Sequence, residues 1–198
     1  MMGDEKPLPP EAEKAFMKAQ KALDDGNDKG AMTEFNKAIK AAPEFADAYF
    51  GRAEAAVLNP KAAFENILAD YEKSSQLAPE NPMFRGRLAM FLMENGKYER
   101  AEQVYNEAAV ADAENASEYY SEFATSFYRQ IMDRIGEEGP KNVAEFVTRK
   151  SLDYYCKAMG IDAEFAAKLL SSPPPQVNLQ QELTRLALEG AKEEGGEE

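Results

Sequence analysis

The sequence predicts an all-α protein, a right-handed α-solenoid of stacked helix pairs with capping helices at its C-terminal side. Apolar residues recur at helical spacing, as in Tyr120, Phe123, Phe127 and Ile131. Glycines and prolines separate these segments at positions where helices end. Two segments also repeat the same pattern of small and aromatic residues 70 positions apart, which indicates internal repeats.

The repeat spacing predicts three copies of one helix pair. A separation of 70 equals two periods of 34 residues and two extra residues, so a middle copy with a short insertion is expected. Such a copy is present, because Phe35 corresponds to Tyr71 and Pro43 to Pro79, with the insertion near Pro60. The predicted copies are residues 12–45, 46–81 and 82–115.

Glycine and proline mark the ends of the predicted helices. Gly26 and Gly96 follow the first helix of their copies, and we expect both to adopt the left-handed conformation that ends a helix. Pro43 and Pro79 come just after a second helix, where a missing N–H group costs little.

The rest of the chain continues this organisation. Residues 116–160 are predicted to form a longer, fourth helix pair, and 161–192 two capping helices, the first starting at Asp162. Residues 1–11 and 193–198 are predicted to be a flexible N-terminal segment and an acidic tail. The last helix could instead reach back into the groove between the repeats and occupy it. Its predicted apolar stripe is Leu179, Leu183, Leu186 and Leu188.

The third copy resembles a tetratricopeptide repeat (TPR). The segment LAMFLMENGKYERAEQVYNEA, residues 88–108, has the small, apolar and aromatic residues of that pattern in order. The copies also depart from it, with Lys18 in place of leucine, Ile67 in place of a small residue and Ala113 in place of proline. The matching positions are Leu88, Ala89, Leu92, Gly96, Tyr98, Ala101, Tyr105 and Ala108.

The resemblance implies a peptide-binding groove. In TPR proteins the first helix of each repeat lines a concave face, which we call the first-helix face. Its residues here are apolar and acidic, as expected for binding an amphipathic helix or an extended peptide with basic and apolar residues. The implied residues are Glu13, Phe16, Gln20, Asp47, Phe50, Glu54, Val57, Met83, Arg87, Met90 and Met93.

One TPR subclass, the Hsp70/Hsp90 co-chaperones, binds the C-terminal carboxylate of its partners with a clamp of Lys, Asn, Asn, Lys and Arg. The corresponding positions here are Glu13, Met17, Gly51, Met83 and Arg87, of which only the arginine agrees. An acidic tail would also approach Glu13 and Asp47, which repel it. We therefore expect no binding to Hsp70 or Hsp90 tails.

Composition argues against catalysis and against cofactors. The chain has no histidine, which removes the commonest general base and the commonest zinc ligand. Its single thiol, Cys156, has no base to activate it, and no glycine-rich phosphate-binding motif is present. We therefore expect neither an enzyme nor a metal or cofactor site.

Charge and hydropathy indicate which partners and which cellular location to expect. A net charge of -13 disfavours nucleic acid and anionic lipid, and no apolar run is long enough to span a membrane. No secretory signal is visible, and one cysteine fits a reducing compartment, so we expect a cytoplasmic protein. The predicted function is a protein–protein adaptor or scaffold. The alternative is a structural protein that assembles into oligomers through repeat stacking.

Overall fold

The computed structural model describes residues 7–162, 164–165, 168 and 176–194, and in these ranges all regular structure is helical. The predicted all-α class is confirmed. A 3-10 turn, Ala113–Asn115, lies just before the helix that begins at Ala116. The α-helices are α1 (Pro10–Asp24), α2 (Asp28–Ala41), α3 (Ala46–Val57), α4 (Phe64–Leu77), α5 (Pro82–Glu94), α6 (Tyr98–Ala111), α7 (Ala116–Ile135), α8 (Lys141–Ala158) and α9 (Leu179–Glu194).

Parts of three predicted segments lie outside the described residues: 1–6 of the N-terminal segment, most of the helix after Asp162, and 195–198 of the tail. The predicted cap at Asp162 is confirmed, because its Oδ1 accepts hydrogen bonds from the backbone N–H groups of Glu164 and Phe165 at 2.9 and 3.1 Å.

The chain divides into an N-terminal unit, residues 1–92, and a C-terminal unit, residues 93–198. In the N-terminal unit α1 packs on α2, α2 on α3, and α3 on α4. Alanines at the contacts, among them Ala19, Ala31, Ala38 and Ala48, are fully buried and let the helices approach closely. Phe35 fills the space between them.

The turns follow the glycine and proline pattern. Gly26 and Gly96 have φ values of 69° and 70°, so both predicted left-handed positions are confirmed. Pro43 and Pro79 follow α2 and α4 by two residues, as predicted. Between α3 and α4 a longer loop at Pro60 contains the extra residues of the middle copy.

The C-terminal unit has its own core between α6, α7 and α8. Phe123, Ile131, Val143 and Val147 are completely buried there, and the ring of Phe123 lies 5.8 Å from that of Tyr105. With 20 and 18 residues, α7 and α8 are longer than the helices of the N-terminal unit. This length lets one helix pair bury more apolar surface.

The last helix, α9, contacts α7 through part of its predicted stripe. Leu183 is buried, and Leu179 and Leu186 are half-buried. Leu188, however, is 62% exposed, so its assignment to the stripe was wrong. At 3.6 residues per turn it lies about half a turn around the helix from Leu179, on the opposite side.

Candidate functional site

The first-helix face is formed by α1, α3 and residues 82–92 of α5, the part of that helix that belongs to the N-terminal unit. The rings of Phe16 on α1 and Phe45 at the start of α3 have centroids 4.8 Å apart. The same centroid distance separates Phe50 on α3 from Phe84 on α5. Aromatic contacts thus join each of these helices to the next, which fixes their spacing.

The predicted residues of this face fall into three groups by exposure. Five of them are exposed, five are half-buried and one is completely buried. The half-buried residues are Phe16, Phe50, Glu54, Arg87 and Met90. The exposed residues are Glu13, Gln20, Asp47, Val57 and Met83.

Met93, by contrast, is completely buried, so it packs in the protein interior and we leave it out of the proposed site. Sequence could not separate it from Met90, because residues 88–93 are apolar without interruption and show no amphipathic pattern.

The two phenylalanines of the face belong mainly to the core. Phe16 packs edge-on against Phe35, with ring centroids 5.8 Å apart, as well as against Phe45. Phe50 packs against Tyr71 at 5.9 Å. Both rings therefore stabilise the helix packing, and only their outer parts are available to a ligand.

An ion pair links α3 to α5 in the middle of the face. Arg87 donates from Nε to Oε1 of Glu54 at 3.0 Å and from Nη2 to Oε2 at 3.1 Å, a two-point contact. The hydroxyl of Tyr71, on α4, donates to the same Oε1. Arg87 also donates from Nη1 to Sδ of Met90 at 3.2 Å. The only residue that agrees with the co-chaperone clamp is thus already bound to a carboxylate.

The surroundings fix the protonation states of this cluster. Burial raises the pKa of Tyr71 well above its usual value, and the hydrogen bond to Glu54 raises it further. For Arg87, burial is the largest cause and lowers the pKa, but the charges and hydrogen bonds of Glu54 and Tyr71 together outweigh it, so the net shift is upward. Arg87 therefore stays charged and Tyr71 neutral at physiological pH. The participation of Tyr71 could not be inferred from sequence, where it appears only as the residue that corresponds to Phe35.

A second cluster lies on the other side of α3. Arg52 donates from Nε and Nη2 to the two carboxylate oxygens of Asp70, at 2.7 and 2.5 Å. Its Nη1 donates to Oδ1 of Asn36 at 2.6 Å. These contacts tie α2, α3 and α4 together beside a cleft of about 560 Å³. The repeat pattern does not predict this network, because Arg52 corresponds to Leu88 and Asp70 to Val104 in the third copy.

The exposed charges of the first-helix face are acidic. Glu13 and Asp47 form none of the ion pairs found in the described ranges, whereas Glu54 is neutralised by Arg87. The face therefore offers two carboxylates and the exposed apolar side chains of Val57 and Met83.

Comparison with known proteins identifies the repeats. Residues 60–121 match the tetratricopeptide repeat family model. The TPR2B domain of yeast Sti1, solved as a complex with pHsp70, is similar in structure with a TM-score of 0.54 and 24% identity, over 63% of this chain and 99% of that domain. The MamA RS-1 ArsTM double mutant has a TM-score of 0.53 and 14% identity, over 93% of this chain and 98% of its own. None of the curated proteins matches the sequence.

These findings define the class as an all-α TPR solenoid, a fold of protein–protein interaction scaffolds. Residues 60–121 match a tetratricopeptide repeat, and the fold is the all-α fold of TPR structures, as predicted. Members of this family are generally non-catalytic. In the part of the chain that the structure describes, no helix is both long and apolar enough to cross a bilayer.

Proposed function

We propose that this chain is a non-catalytic cytoplasmic adaptor or scaffold that binds a peptide or helix of a partner protein on its first-helix face. The observation that supports it is the exposure of Glu13, Gln20, Asp47, Val57 and Met83 on three adjacent helices. Asp47 and Val57 are ten residues apart on one side of α3. At 1.5 Å per residue the face is about 15 Å long, enough for a few extended residues or about three helical turns.

The charge and polarity of the face define the partner. Glu13 and Asp47 favour lysine or arginine on the ligand, and the exposed side chains of Val57 and Met83 favour apolar residues. Methionine adapts its shape to different neighbours, which allows varied sequences to bind. Nucleic acid and anionic lipid are disfavoured by the net charge of -13.

We expect no binding to Hsp70 or Hsp90 tails, although the Sti1 domain is a complex with pHsp70. The carboxylate of such a tail would compete with Glu54 for Arg87. It would also meet the uncompensated charges of Glu13 and Asp47. The similarity to the Sti1 domain concerns the fold, and its ligand does not follow from it.

Selection of random displayed peptides on the full chain tests the proposal. We expect the selected peptides to combine lysine or arginine with apolar residues. The double variant Val57→Lys/Met83→Glu should weaken their affinity at least about tenfold, or about 1.4 kcal/mol, measured by fluorescence anisotropy. These positions are preferable to Phe50, whose substitution would disturb the packing against Tyr71 and Phe84.

The matched control is Val110→Lys, on the second helix α6, where the side chain is 79% exposed. It should leave the affinity unchanged. Equal losses in the two variants would contradict binding at the first-helix face, and so would a selection dominated by acidic peptides.

The alternative function is self-assembly. Leu152 and Tyr155 on α8 and Met159, the residue that follows it, are exposed at helical spacing and form an apolar stripe on the C-terminal unit. Sedimentation over a concentration series tests this function. Oligomers that dissociate in the variant Leu152→Glu/Met159→Glu would support it, and a strictly monomeric protein would remove it.

A further inference from the structure

A cleft of about 820 Å³ opens in the N-terminal unit beside the starts of α3 and α5. This volume is within the range of pockets that hold ligands. We call it the turn cleft, because the loops before α3 and α5 form two of its walls and the segment before α1 a third. Its apolar lining includes Leu8, Phe45, Leu77 and Phe84, and its charged lining consists of Glu44, Asp47 and Glu80.

The two loops are copies of one turn. Residues 42–45 are APEF and residues 78–81 are APEN. In the first turn the N–H of Phe45 donates to the carbonyl of Ala42 at 3.1 Å, and in the second the N–H of Asn81 donates to that of Ala78 at 3.0 Å. Glu44 and Glu80 thus occupy equivalent positions on neighbouring turns.

Further contacts hold these turns in place. The hydroxyl of Tyr49 donates to the carbonyl of Pro43 at 3.1 Å. Oδ1 of Asn81 accepts from the N–H of Met83 at 3.1 Å and so caps the start of α5. With a proline in each turn as well, the loops lose little freedom when a ligand binds.

The charge of the turn cleft is of one sign. Glu44, Asp47 and Glu80 are exposed carboxylates, and no lysine or arginine lines the cleft. Of these three, none forms an ion pair within the described residues. Between them Phe84 is buried, and Leu8, Phe45 and Leu77 are half-buried, so the floor is apolar. A ligand with an apolar side chain between two cations would complement both features.

We propose that the turn cleft anchors one apolar side chain of the partner segment, with lysine or arginine residues on either side of it. This inference rests on the proposed function and adds the position at which the ligand is held. Asp47 belongs to the turn cleft and to the first-helix face, so a ligand anchored here continues onto that face.

Chemical-shift mapping by NMR on the ¹⁵N-labelled full chain tests the inference. The probe is the end-blocked peptide Lys-Leu-Lys-Lys-Leu-Lys, and its counterpart has serine in place of both leucines. We expect the leucine peptide to shift the amides of Leu8, Glu44 and Glu80. The variant Glu44→Lys/Glu80→Lys should weaken its binding at least about tenfold. The serine peptide should bind at least about tenfold more weakly than the leucine peptide.

The matched control is Glu65→Lys/Glu107→Lys, which changes the net charge equally at two exposed positions on second helices. It should bind the leucine peptide as the wild type does. Equal weakening by both double variants would overturn the inference, as would equal binding of the two peptides or no binding of the leucine peptide. Shifts confined to Val57, Met83 and Met90 would also overturn it while leaving the proposed function standing.

Discussion

Two buried tyrosines show how single residues stabilise this protein. The hydroxyl of Tyr71 donates to Glu54, and that of Tyr154 donates to Glu102 at 2.8 Å and accepts from Nδ2 of Asn106 at 2.7 Å. Burial raises the pKa of both tyrosines, and their carboxylate partners raise it further. The repeat pattern predicted that Tyr71 occupies the position of Phe35, but the partners of the two hydroxyls depend on side chains far apart in the chain.

These shifts predict a loss of stability at alkaline pH. Below the unfolded-state pKa of about 10 both states hold the tyrosine proton, and the stabilisation is complete. Above it the unfolded chain ionises first, so the free energy of unfolding falls by up to about 1.4 kcal/mol per pH unit for each such tyrosine. Urea denaturation followed by circular dichroism at about pH 8 and about pH 11 measures the effect.

Two phenylalanine variants isolate the contribution of Tyr71. Tyr71→Phe should be less stable than wild type at about pH 8, and the difference should shrink at about pH 11 because phenylalanine cannot ionise. Tyr128→Phe is the control, since the Tyr128 side chain is 41% exposed. A Tyr71→Phe deficit that stays constant over this range would contradict the account.

At the scale of helices, the pattern of glycines and prolines predicted where most elements end. This prediction was possible because a left-handed residue, as at Gly26, or a missing N–H group, as at Pro43, ends a helix at its own position whatever the rest of the fold is. The orientation of α5 was less predictable, since residues 88–93 are all apolar and give no preferred side. The ion pairs of Arg52 and Arg87 could not be predicted from the sequence, because their partners lie on other helices.

Two glycine substitutions should have opposite effects on the free energy of unfolding, because an added Cβ atom meets a neighbouring helix at Gly51 but not at Gly86. A Cβ atom at Gly51 would lie 2.5 Å from Cε1 of Phe35, a fully buried ring that cannot move freely. Gly51→Ala should therefore destabilise the protein by about 1–3 kcal/mol. At Gly86 nothing lies within 4 Å of the added atom, and Gly86→Ala should stabilise α5 by about 0.5–1 kcal/mol. Urea denaturation of both variants measures these differences. Stabilisation by Gly51→Ala would show that α3 does not approach Phe35 of α2 this closely.

At the scale of the whole molecule, the net negative charge and the internal repeats both affect which partners the surface favours. The repeats place side chains at equivalent positions on adjacent helices. Asp47 and Met83, both exposed and 36 positions apart, are an example. The net charge of -13 biases these surfaces toward cationic partners. The sequence predicted the all-α class and the repeats, whereas the assignment of the binding surface to the first helices stays a prediction. It could not predict that Met93 would be completely buried and that Phe16 and Phe50 would be half-buried, because that depends on how neighbouring helices meet.

Site-specific photocrosslinking tests the central claim most directly. A benzophenone side chain is introduced at Val57 or Met83 on the first-helix face, or at Val110 or Leu152 on second helices, all of which are exposed. Each protein is irradiated with a peptide selected on the wild type. We predict crosslinks from Val57 and Met83 and none from Val110 and Leu152. Crosslinks from the second-helix positions alone would contradict the claim that α1, α3 and α5 form the binding surface.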